Sequence, residues 1–111
     1  VFPDFIQRTD PPATTHAWAR SPLLHGGEIE ALSLALELRA DLVLMDEAEG
    51  RATAKSLSLA TMGLLGVPLM ARQRSLIGSL APLLDRLDRE ARFWMAPALR
   101  AAILRASGEL P

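Results

Sequence analysis

The stretch GGEIEALSLALELRADLVLMDEAEGR, residues 26–51, decides the fold of this chain. It predicts a helix, a short turn, a buried strand that ends on an aspartate, and the start of a second helix. Residues 28–39 contain no proline or glycine and consist mostly of Ala, Leu and Glu, which favour helices strongly. Gly26 and Gly27 interrupt any earlier element and let the chain turn into the helix.

The polar residues of this predicted helix fall into two groups. Glu30, Ser33 and Glu37 are spaced three and four residues apart, so they form one narrow stripe that predicts the solvent face. Glu28 lies off this stripe and shares its face with the apolar residues Ala31, Leu32 and Ala35. A carboxylate above an apolar face at a helix start is unusual, which makes Glu28 a candidate functional residue.

A short apolar run over residues 42–45 follows the helix and ends at Asp46. Such a run is typical of a strand that is covered on both faces in a parallel sheet. The N-terminus of a helix and the C-terminus of the next strand then lie at the same edge of the sheet, where ligands bind. Glu28 and Asp46 are therefore predicted to be neighbours in space, although a full helix separates them in the sequence.

Composition limits the function classes. The chain has 111 residues, of which 50% are hydrophobic, enough for one domain with a core. Its net charge of −1 argues against a strongly basic nucleic-acid surface but leaves room for a local one. The absence of cysteine excludes disulfides and thiolate chemistry. No apolar run approaches the roughly 20 residues of a membrane span and no signal peptide is visible, so we expect a cytoplasmic protein without a membrane partner.

The rest of the chain predicts an irregular lead-in and a series of helices. Residues 1–25 are rich in proline, and we expect an irregular segment there with a short edge strand over residues 5–9 and a helical turn within residues 15–20. Residues 26–111 are the predicted domain. The elements expected after Asp46 are a helix over residues 51–59, a short strand over residues 60–63, and helices over residues 64–74, 79–91 and 98–106.

Proline and serine residues refine these later helices. Pro68 falls inside the first of them after the short strand and predicts a kink or a late start. Ser79 is the expected cap of the next helix, with Pro82 in its first turn. Pro97 is expected at the start of the last helix, and Gly108 after its end.

Several blocks of the sequence, taken in order, resemble the PIN-domain ribonuclease superfamily. These blocks are GEIEALSLALEL, ADLVLMDE, GRATAKSL, and the segments at residues 63–66, 78–87 and 93–104. The resemblance covers roughly residues 26–108 and is closest to bacterial PIN-like proteins catalogued only as a domain of unknown function. Their better-known relatives are the toxin nucleases of virulence-associated toxin–antitoxin pairs. The resemblance implies an α/β fold with three α/β/α layers around a parallel, Rossmann-like sheet.

The same resemblance implies a metal-dependent nuclease that cleaves single-stranded RNA with one or two Mg²⁺ or Mn²⁺ ions. It places Glu28 on the acidic position that opens the family's central helix and Asp46 on the aspartate that ends the next strand. Mg²⁺ prefers oxygen ligands and often takes only one or two protein carboxylates. Glu28 and Asp46 are therefore the expected metal ligands and catalytic residues, with Glu47, Glu49 and Arg51 as candidate outer-shell or phosphate-binding groups.

The chain departs from the family pattern in its N-terminal part. The family's first aspartate lies on an N-terminal strand in a DTS-like context, whereas Asp4 lies in the different context FPDF. We therefore expect a PIN-like fold that is incomplete at the N-terminus, with an exposed sheet edge that favours a homodimer. The alternative to a toxin-type ribonuclease is a catalytically incomplete PIN-like scaffold that dimerises or binds an antitoxin-like protein. A third hypothesis is an unrelated α/β ligand-binding domain, which predicts no clustered acids at the sheet edge.

Each candidate residue also has a purely structural interpretation. An acid in the first turn of a helix, such as Glu28, complements the helix dipole. An aspartate at a strand end, such as Asp46, caps the following helix. Arg51 and Lys55 lie one helical turn apart and fit either a phosphate contact or a solvated helix face.

Overall fold

The computed structural model describes residues 2–13 and 15–111. Within them the fold class is α/β, as predicted, with five α-helices and a two-stranded parallel sheet. The chain divides into two units, the first of which ends at Gly63, while the second spans Leu64–Pro111. In the described part of the chain, no helix has the length and apolar character that crossing a bilayer requires.

The first unit contains the sheet and the helices that pack on it. Its elements are a 3-10 turn at Ala17–Arg20, helix α1 at Gly26–Leu38, strand β1 at Val43–Leu44, helix α2 at Ala48–Ser56 and strand β2 at Thr61–Met62. The strands are parallel, with Val43 opposite Thr61 and Leu44 opposite Met62. Helix α1 packs against α2 and β1, and α2 packs against β2. The predicted order of helix, strand, helix and strand is confirmed.

The ends of these elements follow local chemistry. Arg39 is the C-cap residue of helix α1. It adopts a left-handed conformation with φ 52° and donates its N–H to the carbonyls of Ala35 and Leu36. Helix α2 begins at Ala48, three residues before the predicted start, and therefore includes Gly50. The connection from strand to helix is thus short, and it keeps the end of β1 close to the first turn of α2.

The core of the first unit lies between its helices and one face of the sheet. The buried members are Leu32, Ala35, Val43, Met45 and Ala54, and Trp18, Ala31, Ala40 and Leu59 pack against them. Leu32 is fully buried, and burying one such side chain stabilises a fold by about 1.5–3 kcal/mol. The apolar face of α1 that carries Ala31, Leu32 and Ala35 is therefore the face that packs in the core.

Strand β1 is covered on one face, so the prediction of a strand covered on both faces is wrong. Val43 and Met45 are buried, whereas Leu42 and Leu44 are 41% and 57% exposed. Side chains alternate between the two sides of a strand, and within the described residues the side of Val43 and Met45 is covered while that of Leu42 and Leu44 is exposed.

Two further predictions in the first unit are wrong. The segment at residues 5–9 forms no strand, and Phe5 is 86% exposed, so it gains none of the burial that stabilises a strand. Ser33, expected on the solvent face of α1, is only 5% exposed. Pro12 and His16 of the lead-in line a pocket with Ser33, so the lead-in covers part of the predicted solvent face.

The second unit is helical in the described residues. Its elements are helix α3 at Gly66–Gln73, helix α4 at Ala81–Arg89 and helix α5 at Pro97–Ala106. Its buried core is formed by Leu80, Leu84, Ile103 and Leu104. Helix α3 starts late, as predicted, so that Pro68 falls in its first turn, and α5 begins at Pro97. Gly108 has φ +83° and follows the end of α5.

Helix α4 is capped by a carboxylate from far along the chain, and the prediction of a Ser79 cap is wrong. The N-cap residue is Leu80, and Glu109 accepts the N–H groups of Leu80 at 2.9 Å and Ala81 at 3.2 Å. Glu109 also accepts the hydroxyl groups of Ser79 and, at 2.7 Å, Ser107. These donors, Ser79 first, lower the pKa of Glu109 from 4.5 to about 2.

Candidate metal centre

Glu28 is a buried carboxylate in the first turn of α1. Only 9% of the residue is exposed, and its Oε2 atom is buried without a hydrogen-bond partner. A buried polar atom that lacks a partner costs about 1–3 kcal/mol, and more when it is charged. Because native proteins satisfy nearly all such atoms, an orphan of this kind points to a ligand or a function.

Gly50 makes room for this carboxylate. A Cβ atom placed on Gly50 would lie 2.6 Å from the Sδ of Met45 and 3.4 Å from the Oε2 of Glu28. The first of these distances is too short for a real side chain, so only glycine lets α2 approach this closely. The start of α1, the end of β1 and the first turn of α2 therefore meet around the Glu28 carboxylate.

Asp46 follows β1 directly and is exposed. The ladder between the strands extends to Met45, whose N–H donates to the carbonyl of Met62 at 2.9 Å. A Cβ atom placed on Gly63 would lie 3.0 Å from the Oδ1 of Asp46. The Asp46 carboxylate thus lies beside the residue that follows β2, in space that a glycine leaves open.

The two carboxylates lie at the same end of the sheet. The Oε2 of Glu28 lies beside Gly50, Gly50 packs against Met45, and Asp46 is the next residue in the chain after Met45. Within residues 2–13 and 15–111 no group of three or more Asp, Glu or His side chains is arranged to hold a metal ion. An ion bound by these two residues would therefore complete its coordination with water or phosphate, as Mg²⁺ commonly does.

The other candidate residues lie at the start of α2. Glu47 is the N-cap residue, Glu49 lies in the first turn, and both are exposed; the Glu47 side chain makes no capping hydrogen bond. Their charge complements the positive end of the helix dipole. Arg51 instead points back along the chain, and its Nη1 donates to the backbone carbonyl of Asp46 and lies 3.5 Å from that of Met45. Sequence reasoning missed this contact because a sequence does not show which backbone carbonyls lie within reach.

Acidic side chains around the end of a parallel strand define the class of this protein, an α/β domain with a carboxylate-based candidate metal centre. The chain belongs to the PIN domain family, whose model matches residues 3–109 and so includes the lead-in. The predicted resemblance to PIN domains is thereby confirmed. PIN domains are generally divalent-metal-dependent nucleases, so membership supports a ribonuclease-like function and RNA binding. No curated protein and no solved structure matches the chain.

Proposed function

We propose that this PIN domain is a ribonuclease of the toxin–antitoxin type, which cleaves single-stranded RNA with a carboxylate-bound Mg²⁺ or Mn²⁺ ion. Glu28 and Asp46 are the proposed ligands. The observation that carries the proposal is the buried Oε2 of Glu28, which has no hydrogen-bond partner and lies by the end of β1. The proposal includes a bacterial cytoplasmic site of action and an antitoxin protein as the inhibitor.

The donor chemistry of these residues fits the ion. Carboxylate oxygens are the ligands that Mg²⁺ and Mn²⁺ prefer, and an ion would give the orphan oxygen of Glu28 a partner. When bound, the ion would lower the pKa of a coordinated water and stabilise charge on the scissile phosphate. Burial holds the Glu28 carboxylate in place, whereas exposed Asp46 remains accessible to a substrate from solvent.

The charge of the second unit supports an RNA substrate. Residues 64–111 contain seven arginines and four acidic residues. Arginine binds phosphate through a planar fork of donors, and contacts with phosphates make binding weaken as salt increases. We therefore expect the affinity for single-stranded RNA to fall steeply between low and high salt.

Calorimetry with Mn²⁺ tests the metal ligands. Binding by the wild-type chain is expected to be lost in Glu28→Gln and in Asp46→Asn. Glu30→Gln is the matched control, because Glu30 is an exposed glutamate in the same helix. Absence of Mn²⁺ binding by the wild-type chain, or full binding by both ligand variants, would contradict the proposal.

Cleavage of a single-stranded RNA oligonucleotide tests the activity itself. The purified chain is expected to cleave in Mn²⁺, to stop on addition of a chelator, and to be inactive as Asp46→Asn. Cleavage that persists undiminished in Asp46→Asn would assign the activity to other residues.

The exposed apolar side of β1 favours a second candidate function, a PIN-like scaffold that dimerises or binds an antitoxin-like protein. Parallel sheets are normally covered on both faces, yet Leu42 and Leu44 are 41% and 57% exposed. A second copy of the chain or another protein would cover this apolar face. Light scattering on the wild type and on Leu44→Lys tests the homodimer, which the substitution should dissociate. RNA cleavage that depends on Asp46 would rule out a catalytically inert scaffold.

A further inference from the structure

The side chain of Arg51 ties helix α2 to the main chain just after strand β1. Its backbone N–H donates to the carbonyl of Glu47 at 3.0 Å, as part of the helix. Its side-chain Nη1 donates to the carbonyl of Asp46, the residue before Glu47. The main chain that carries the Asp46 carboxylate is therefore held from the first turns of α2.

The position of this contact matters because it lies one residue beyond the strand ladder. The ladder holds Met45, whose N–H donates to the carbonyl of Met62, and the Arg51 side chain holds the carbonyl of the next residue, Asp46. A hydrogen bond from a charged donor is roughly twice as strong as a neutral one. Fixing the backbone of Asp46 also fixes the direction of its Cα–Cβ bond, and with it the region that the carboxylate can reach.

We propose that Arg51 is a positioning residue for the metal centre: its guanidinium holds the Asp46 main chain so that the carboxylate meets the ion. This inference rests on the proposed function, because it takes the metal ion from there. The contact between Arg51 and the Asp46 carbonyl is present without metal. It assigns the guanidinium to the protein's own backbone rather than to a substrate phosphate.

Different roles of Arg51 predict different changes in metal affinity when Arg51 is removed. A cation near a metal ion repels it, so if only its charge mattered, removal of Arg51 would strengthen metal binding. If Arg51 positions Asp46, its removal weakens metal binding instead. If it contacts only the substrate, Mn²⁺ binding without RNA stays the same. The sign of the change therefore separates the three roles.

The experiment compares Arg51→Met with Lys55→Met in the full chain. Lys55 is an exposed cation one turn further along the same helix, so its substitution removes the same charge without touching Asp46. Arg51→Lys is a second variant that retains the charge and an N–H donor group but lacks the planar guanidinium. Two quantities are measured: the affinity for Mn²⁺ by calorimetry, and the hydrogen exchange rate of the Met45 amide without metal.

We expect Arg51→Met to lose about 10–100-fold in Mn²⁺ affinity, the usual effect of removing a group that orients a metal ligand. The Met45 amide should exchange faster in this variant, and Arg51→Lys should be intermediate. Lys55→Met should exchange like the wild type at Met45 and bind Mn²⁺ at least as tightly. The exchange rate of the Leu84 amide, in the core of the second unit, should stay unchanged and checks that the effect is confined to the first unit.

Two different failures can be told apart. Unchanged or tighter Mn²⁺ binding by Arg51→Met, while Asp46→Asn loses binding, would overturn the role of Arg51 and leave the proposed function intact. Wild-type binding by Asp46→Asn would overturn the proposed metal ligand, and with it the role of Arg51 toward the ion.

Discussion

Two glutamates near helix starts are used in opposite ways in this molecule. Glu28, in the first turn of α1, is buried with an oxygen that has no hydrogen-bond partner. Glu109, at the start of α4, accepts hydrogen bonds from the hydroxyl groups of Ser79 and Ser107 and from backbone N–H groups, and its pKa falls to about 2. The contrast shows that the hydrogen-bond partners of a carboxylate, rather than its place in a helix, separate a structural role from a functional candidate.

The charges of the two units differ as well. Residues 1–63 contain nine acidic and five basic residues, a formal net charge of −4, whereas residues 64–111 contain four and seven, a net charge of +3. The overall charge of −1 conceals this difference. An acidic unit that buries a carboxylate oxygen without a hydrogen-bond partner would favour the proposed cation, and a basic unit would favour the phosphate groups of the proposed RNA.

The largest change in the free energy of unfolding should come from filling the space beside Glu28. Gly50→Ala places a Cβ atom 2.6 Å from the Sδ of Met45, and such overpacking costs about 1–3 kcal/mol of the free energy of unfolding. Urea denaturation measures it. Gly27→Ala is the control, because nothing lies within 4 Å of its Cβ and alanine should stabilise the helix by up to about 1 kcal/mol. Equal stability of Gly50→Ala and the wild type would show that α2 has room to shift.

The next effect should come from removing the charge of Glu28. Without metal, Glu28→Gln is expected to raise the free energy of unfolding by about 1 kcal/mol, because the buried charge has an unpartnered oxygen and a neutral amide costs less to bury. Denaturant titration in the presence of a chelator measures this change. A clear loss of stability would mean that Glu28 has a structural role like that of Glu109.

The stability that Glu109 contributes should depend on pH. Its folded-state pKa of about 2 lies below its ordinary value of 4.5, so the ionised carboxylate stabilises the fold at higher pH. This contribution is fully present above about pH 4.5 and is lost as the pH falls toward 2. Denaturation between pH 5 and 2 should therefore show a smaller decline in stability for Glu109→Gln, which lacks the titrating group, than for the wild type. Identical pH profiles would contradict the assigned capping role.

The smallest effect is expected for a carboxylate that is neither buried nor part of a cap. Glu90 pairs with Arg86 one turn away at 2.8 Å, and both side chains are more than 60% exposed. Such pairs contribute less than about 0.5 kcal/mol, so Glu90→Gln should change the urea midpoint very little. A loss as large as that of Gly50→Ala would contradict this ranking.

Much of the fold could be predicted from local sequence. The uninterrupted Ala, Leu and Glu residues predicted α1, and the apolar run predicted β1. Pro68 predicted a kink or a late start of α3, and the structure shows the late start. The faces of these elements were harder to predict. Ser33 lies in a polar stripe but is covered by the lead-in, and Leu44 lies in an apolar run but is exposed. A residue's polarity does not reveal which other segment will lie over it.

The order of the elements, the placement of Asp46 after a strand and the membership of the PIN domain family follow from the sequence alone, because periodicity, helix breakers and motifs are local signals. Which polar groups meet depends on how the chain packs. Ser79 was the local candidate for the α4 cap, but Glu109, thirty residues later, accepts the free N–H groups. Arg51 likewise contacts the Asp46 carbonyl, and Glu28 is left with an unpartnered oxygen. Hydrogen bonds act over about 3 Å, and distances that short between distant residues are fixed only when the chain has packed.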